Sequence, residues 1–443
     1  MSVTKHRLRK AAAVALVGAV ALGTAAACGG DNEPAPGEKP TTLVVDTFGE
    51  FGYDELVKQY EQTSGIKIEL RKTAQLGEYR PKLVRYLATN KGAGDVVALE
   101  EGIINEFKIN PSNWVDLSQY VGDKSADYLP WKYQLGKTLD GKLIGLPTDV
   151  GSLAVCYRRD LFEAAGMPTD REEVAKLWPD WNGFIAAGQT YRSKTGKALL
   201  DSVTTAASAI IFQVGGDSFY DANNELFPAG ADTSKLENLV AANSPAVKTA
   251  WDTAIKMVDA NITAKVRTWS PEWSGGFKNG TFAATFCPSW MTGIVEGNSG
   301  AENAGKWDVA AVPGGGGNWG GSWLSVPTQS KWPAEAAKLA EFLTNAQSQV
   351  AAFKLKGPLP TNLTALQNPD FQAYQNAYFN NAPTGKIFGG SVQGIKPLTL
   401  GPKHGAVKER ALEPALQSYE GGTASAADAW ANFLKEVPTQ GAY

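Results

Sequence analysis

Histidine and cysteine are almost missing from this 443-residue chain, and their scarcity excludes several chemistries at once. The histidines are His6 and His404. His6 lies in an N-terminal segment read below as cleaved, so one imidazole is left. That is too few for a multi-histidine zinc site or a His-Glu-x-x-His protease, and it leaves a single possible base for a Ser-His triad. The cysteines, Cys28, Cys156 and Cys287, include no Cys-x-x-Cys pair, and no Gly-x-Ser-x-Gly elbow occurs. An excess of one charge is missing too: 42 basic and 45 acidic residues are interspersed and give a net −3, which provides no electrostatic footprint for nucleic acid and no basic membrane face. The stretch Gly136-Lys-Thr-Leu-Asp-Gly-Lys142 begins like a phosphate-binding loop, but Leu143 stands where a magnesium-binding Ser or Thr is required, and Asp140-Gly141 reads better as a tight turn. The adjacent carboxylates Glu100 and Glu101, on an extended segment, point to opposite sides and make a poor glycosidase pair. No cofactor and no metal are expected.

The N-terminus is more informative. A basic Lys5-His-Arg-Leu-Arg-Lys10 precedes an alanine-rich apolar run that closes on Ala25-Ala-Ala-Cys28-Gly-Gly. This is the pattern of a secretory signal, residues 1–27, ending before a lipid-modified Cys28; a spanning helix needs roughly 20 greasier residues. Residues 28–40 are too rich in Pro, Gly and charge to pack and read as a tether. Ala25 stands where a Leu is usual three positions before the lipidated Cys, which keeps a plain secretory signal as the alternative. Cys156 and Cys287 then form an even pair in an oxidising compartment, either one disulfide or two buried thiols.

About 415 residues remain after cleavage, enough for two or three domains. Residues 42–48 are β-rich, 53–63 carry helical spacing, 66–72 alternate as a second strand, 78–89 are helical, and 95–99 read as a buried third strand. The alternation predicts a largely parallel, doubly wound α/β sheet. Further strands are expected at 142–147, 152–157, 281–287, 307–312 and 323–326. Mainly helical patches are expected over 171–265, and helices at 246–260, 334–344 and 424–435. The glycine run 314–317 is the sharpest internal break.

Several segments in this order resemble the family 1 extracellular solute-binding proteins, the sugar-binding lipoproteins of ABC importers, similar in outline to maltose-binding protein. They are Gly49-Glu-Phe-Gly-Tyr-Asp-Glu-Leu, Lys91-Gly-Ala-Gly-Asp-Val-Val, Tyr157-Arg-Arg-Asp-Leu-Phe, Phe277-Lys-Asn-Gly-Thr-Phe-Ala-Ala, Cys287-Pro-Ser-Trp290 and Trp307-Asp-Val-Ala-Ala-Val-Pro313. The likeness runs from about residue 41 to the C-terminus and is nearest to binders of cellobiose, xylobiose or related β-linked oligosaccharides. It implies a periplasmic-binding-protein-like type II fold. Two α/β lobes, 41–149 with 323–354 and 150–322 with 355–443, would be joined by crossings near 148–151, 318–322 and 356–358, whose glycines suit hinges. It also implies a non-enzymatic monomer, lipid-anchored outside the cytoplasmic membrane, that hands an oligosaccharide to permease subunits and their ATPase. A lipid-anchored glycosidase is one rival, and a binder of an amino acid or peptide is another.

A sugar presents apolar ring faces edged by hydroxyls, so its site needs flat aromatics with carboxylate, amide or basic groups. The resemblance places Trp290 as the main stacking residue, with Trp319 on a crossing, Trp273, and Phe48 at the end of the first strand. Core packing is the alternative for each. The polar candidates are Glu101 and Asp149 at strand ends, Gln213 and Asp217 flanking Gly215-Gly216, and Lys403-His404.

Overall fold

The computed structural model describes residues 38–442; the signal, Cys28 and most of the tether fall outside them. Among the described residues eleven strands are formed: β1 (Thr42–Phe48), β2 (Lys67–Thr73), β3 (Val96–Glu100), β4 (Leu146–Pro147), β5 (Asp149–Val150), β6 (Leu153–Arg158), β7 (Ala198–Leu200), β8 (Phe282–Pro288), β9 (Trp307–Ala311), β10 (Ser322–Ser325) and β11 (Leu359–Pro360). They make two separate sheets and a small ribbon. The first sheet has the order β2-β1-β3-β10-β4, the second β7-β8-β6-β9, and the ribbon pairs β11 with β5. Each large sheet anchors its own lobe.

Pairing is parallel for β1 with β2 and with β3, but β10 runs antiparallel between β3 and β4, and β6 runs antiparallel to both β8 and β9. The largely parallel sheet expected from the alternation is therefore corrected to two mixed sheets. The cause is connectivity. β6 and β10 enter their sheets directly from crossing segments, without the helical return that a parallel neighbour requires.

Helices cover the sheets for ordinary local reasons. Asp54–Ser64 opens on two acidic residues that suit its positive end, buries Leu56, Val57 and Tyr60, and stops at left-handed Gly65. Val203–Val214, capped by the Ser202 hydroxyl, is buried almost all round, as its composition requires. Pro333–Thr344 begins on its proline. The expected turn at 138–142 closes with the Thr138 N–H on the Lys142 carbonyl and the Gly141 N–H on the Thr138 carbonyl.

Cys156 and Cys287 are joined by a disulfide with a Cα–Cα distance of 5.5 Å. On the paired strands Cys156 faces Thr285 and Cys287 faces Ala154. The half-cystines thus sit diagonally on one face of the second sheet, within the reach such a bridge demands.

Candidate functional site

The lobes meet around the crossing 318–322, and a buried ionic cluster fixes that segment. Glu101 begins the helix Glu101–Lys108 rather than prolonging β3, and its N–H donates to the Gly321 carbonyl at 2.9 Å. Its carboxylate pairs with Lys132, both side chains being almost fully buried, and accepts from Asn318 Nδ2 at 2.9 Å. Lys132 also donates to the Gly320 carbonyl at 3.2 Å and lies 4.1 Å from the centre of the Trp323 ring. Asn318 Oδ1 in turn accepts from the Gly151 N–H, and the Trp319 N–H donates to the Gly151 carbonyl. Asp149 Oδ1 accepts from the Ser322 N–H and the Thr148 hydroxyl. Glycine is required here by close approach: a Cβ on Gly151 would fall 1.8 Å from the Trp319 carbonyl oxygen, and one on Gly321 (φ +112°) would fall 2.3 Å from that of Asp149.

Trp290 caps the helix Met291–Ser299 just past β8, is half-buried, and donates its indole N–H to the Trp319 carbonyl at 2.7 Å. The Trp319 ring, 7% exposed, stands edge-on to it at 6.0 Å. Glu100, half-buried at the end of β3, reaches the same place from the first lobe. A Cβ built on Gly320 would lie 3.5 Å from Trp290 Nε1 and 3.6 Å from Glu100 Oε1. Burial, reinforced by the neighbouring Glu101 charge, pushes the Glu100 carboxyl up to about 7 despite the Gly102 N–H on Oε2. Burial likewise raises Glu101 and Asp149, opposed in both by Lys132. An indole edge from the second lobe and a carboxylate from the first, pushed up by burial, thus flank Gly320.

The lobes touch again beyond the crossing. Lys403 donates to Glu106 Oε1 at 3.1 Å, Arg80 binds the same carboxylate in a fork at 2.7 and 2.8 Å, and Asn105 donates to the Leu400 carbonyl. Burial works to raise Glu106, but Arg80 and Lys403 outweigh it and leave the carboxyl lowered.

The structure therefore brings Glu101, Asp149, Trp290 and Trp319 together and places the other candidates elsewhere. Trp273 is core: it is 1% exposed and donates its indole N–H to buried Asp201. Phe48 packs on Phe51 and Tyr79 within the first lobe. Gln213 ends a helix and braces the glycine run, accepting from the Trp181 indole and donating to the Pro313 and Gly315 carbonyls. Asp217 is exposed and accepts from Thr399. His404 is buried beside Phe219 with its Nδ1 3.3 Å from the Ser218 hydroxyl, and burial drives it down to about 3. Sequence reasoning missed Glu100 as the carboxylate near the indole, and it missed Lys132 and Asn318 altogether. Among the described residues no cluster of His, Cys, Asp and Glu could hold a metal, and no helix is long and apolar enough to cross a membrane.

The profile of the family described as bacterial extracellular solute-binding protein matches residues 55–379. The chain belongs to that family. A solved structure described as an extracellular solute-binding protein family 1 is 37% identical, covers 91% of this chain and all of its own, and superposes with a TM-score of 0.77. The ABC transporter associated binding protein of B. animalis subsp. lactis, solved with beta-1,6-galactobiose, shares the fold at 20% identity, with 91% of this chain and 98% of its own covered and a TM-score of 0.75. An arabinooligosaccharide-binding protein of Halalkalibacterium halodurans is 23% identical over 197 residues, 43% of this chain and 42% of that protein. The chain thus matches less than half the length of that curated relative.

Proposed function

We propose that this solute-binding protein is the carbohydrate receptor of an ABC importer: it captures a short oligosaccharide, β-linked and of two or three residues, by closing its lobes and delivers it to the permease. The observation that carries this reading is the meeting of the Trp290 indole, tied to the crossing through Trp319, with Glu100 of the other lobe. The names of relatives, which bind arabino-oligosaccharides, lactose and galactobiose, support the substrate class. Trp290 stacks on a sugar face, Glu100 accepts from hydroxyls, and Glu101, Asp149 and Asn318 hold the crossing that both approach. Contacts made to both lobes are available only when they close, so binding and closure are one equilibrium. We divide the lobes as 41–149 with 323–354 and 150–322 with 355–443, and we place the lipid anchor on Cys28. Intact-mass analysis of the exported protein finding an unmodified N-terminus would remove the anchor.

Calorimetry against cello-, xylo-, arabino- and galacto-oligosaccharides tests the reading. Stacking on indole contributes about 1.5–3 kcal/mol by area, so Trp290→Ala should weaken binding by one to two orders of magnitude. Recovery of unchanged sugar from the complex separates receptor from glycosidase. Glu101 and Asp149 are already committed to protein partners, which favours the receptor. Binding by none of these sugars refutes the reading.

A further inference from the structure

Trp269 has no role in the site described so far, and the fold goes to some length to present it. It is 41% exposed, although indole is costly to leave in water. Its backbone lies in the left-handed region at φ +69°, a conformation that a residue with a Cβ holds only where the surroundings impose it and that gathers at functional positions. Both neighbours impose it. Thr268 is hydrogen-bonded through its hydroxyl to Thr204 at 2.7 Å. Ser270 donates its N–H to the Arg267 carbonyl and accepts from the Trp273 N–H as the cap of the helix Pro271–Asn279. The indole rests on a fixed base: its centre is 4.9 Å from that of Trp273, and Trp273 is held by Asp201, which also accepts from Thr205 and from Thr285 on β8. The Trp269 plane also lies within 18° of that of Trp290, stacked with it at a ring-centre distance of 6.3 Å. Glycine or asparagine would take this backbone with less strain, so the tryptophan is kept for its side chain.

We propose that Trp269 is a specificity-determining residue, an outer stacking surface packed beside Trp290 that takes a further sugar ring of an extended oligosaccharide. This rests on the carbohydrate reading above and extends its ligand beyond two or three residues: affinity rises with chain length beyond what Trp290 alone supports. The buried Asp201 and Trp273 act as positioning residues beneath it.

The test is calorimetry of the full secreted chain with xylo- and arabino-oligosaccharides of two to five residues, for wild type, Trp269→Ala, Trp269→Phe, Trp269→Gly and Trp290→Ala. Trp269→Ala should weaken tetramers and pentamers by about tenfold or more while dimers stay within about twofold. Trp269→Phe should restore most of that loss, and Trp290→Ala should weaken every length. Trp269→Gly should match the alanine variant in binding, with an unliganded melting temperature equal to or above wild type, because it relieves the left-handed strain. The proposal is overturned if Trp269→Ala weakens all lengths alike or none. It is also overturned if wild type binds dimers but nothing longer, or if Trp269→Gly lowers the unliganded melting temperature by more than about 3 °C, which would make the indole packing. Failure of wild type to bind any sugar overturns the carbohydrate reading itself.

Discussion

Removing one partner from the Glu101–Lys132 pair should be far more damaging than removing both. The two side chains are 2% and 0% exposed, so Lys132→Met leaves a carboxylate with only Asn318 for company in a site that water does not reach. Breaking such a pair costs about 3–5 kcal/mol, whereas replacing both ions by neutral groups of similar size is often close to neutral. We therefore expect Lys132→Met and Glu101→Gln each to lose about 3–5 kcal/mol, which is roughly 6–20 °C in melting temperature at 2–4 °C per kcal/mol. The double variant should return to within about 2 kcal/mol of wild type. The loss in Lys132→Met should also depend on pH. With its counter-ion gone, the Glu101 carboxyl, already raised by burial, rises further. A raised acid costs nothing below its unfolded value and its full penalty above its folded one, so the variant should be nearly normal in acid and progressively weaker towards pH 8. Urea unfolding of the three variants from pH 4 to 8 decides it. Additive losses in the double variant, or single variants within about 1 kcal/mol of wild type, would refute the idea that this pair is buried and coupled.

Glu100, pushed up to about 7, favours the folded state below its unfolded value and loses that contribution as pH rises through 7, so Glu100→Gln should flatten the melting temperature between pH 5 and 8; superimposable curves would count against its burial. Lys403→Glu places like charge against Glu106 and should loosen the contact between the lobes, seen as a larger radius of gyration by solution scattering, with Lys403→Met, which removes the pair without repulsion, having a smaller effect; an unchanged radius would mean that the pair does not hold the lobes. Replacing Cys156 and Cys287 by alanine opens a loop of 131 residues and should cost about 4–5 kcal/mol on the chain-entropy account; alkylation of both thiols in unreduced, denatured wild type would show no bond to lose.

What could be read from the sequence was the long, periodic elements. β1 and the helices at 54–64 and 333–344 emerge within a residue or two of expectation, since alternation and capping are local. β5, β7 and β11 have two or three residues, too few to carry a period, and only their partners make them strands. The proximity of Glu100 to the indole was hidden for a similar reason. Where a carboxylate points depends on β3 giving way to a helix at residue 101, and boundaries are what sequence reads worst. Trp269 and Trp273 show the same limit. Ser270-Pro271 is a legible helix start, and a helix beginning there turns Trp273 inward and leaves Trp269 outside. Lys132 could not have been found, because its partners Glu101 and Gly320 are brought to it only by the completed fold.

The position of β10 bears on the order in which the two lobes can be completed. It lies inside the first sheet, between β3 and β4, pairing Ser322 with Glu100 and Trp323 with Pro147, yet it arrives only after the whole of the second sheet has been specified. The first sheet therefore cannot be completed by the part of the chain synthesised first; it waits for residues beyond 320, and closing so long a loop is slow. The leading half of the chain therefore carries no finished sheet while the remainder is still being made, and the first lobe matures only after the strands of the second have been synthesised.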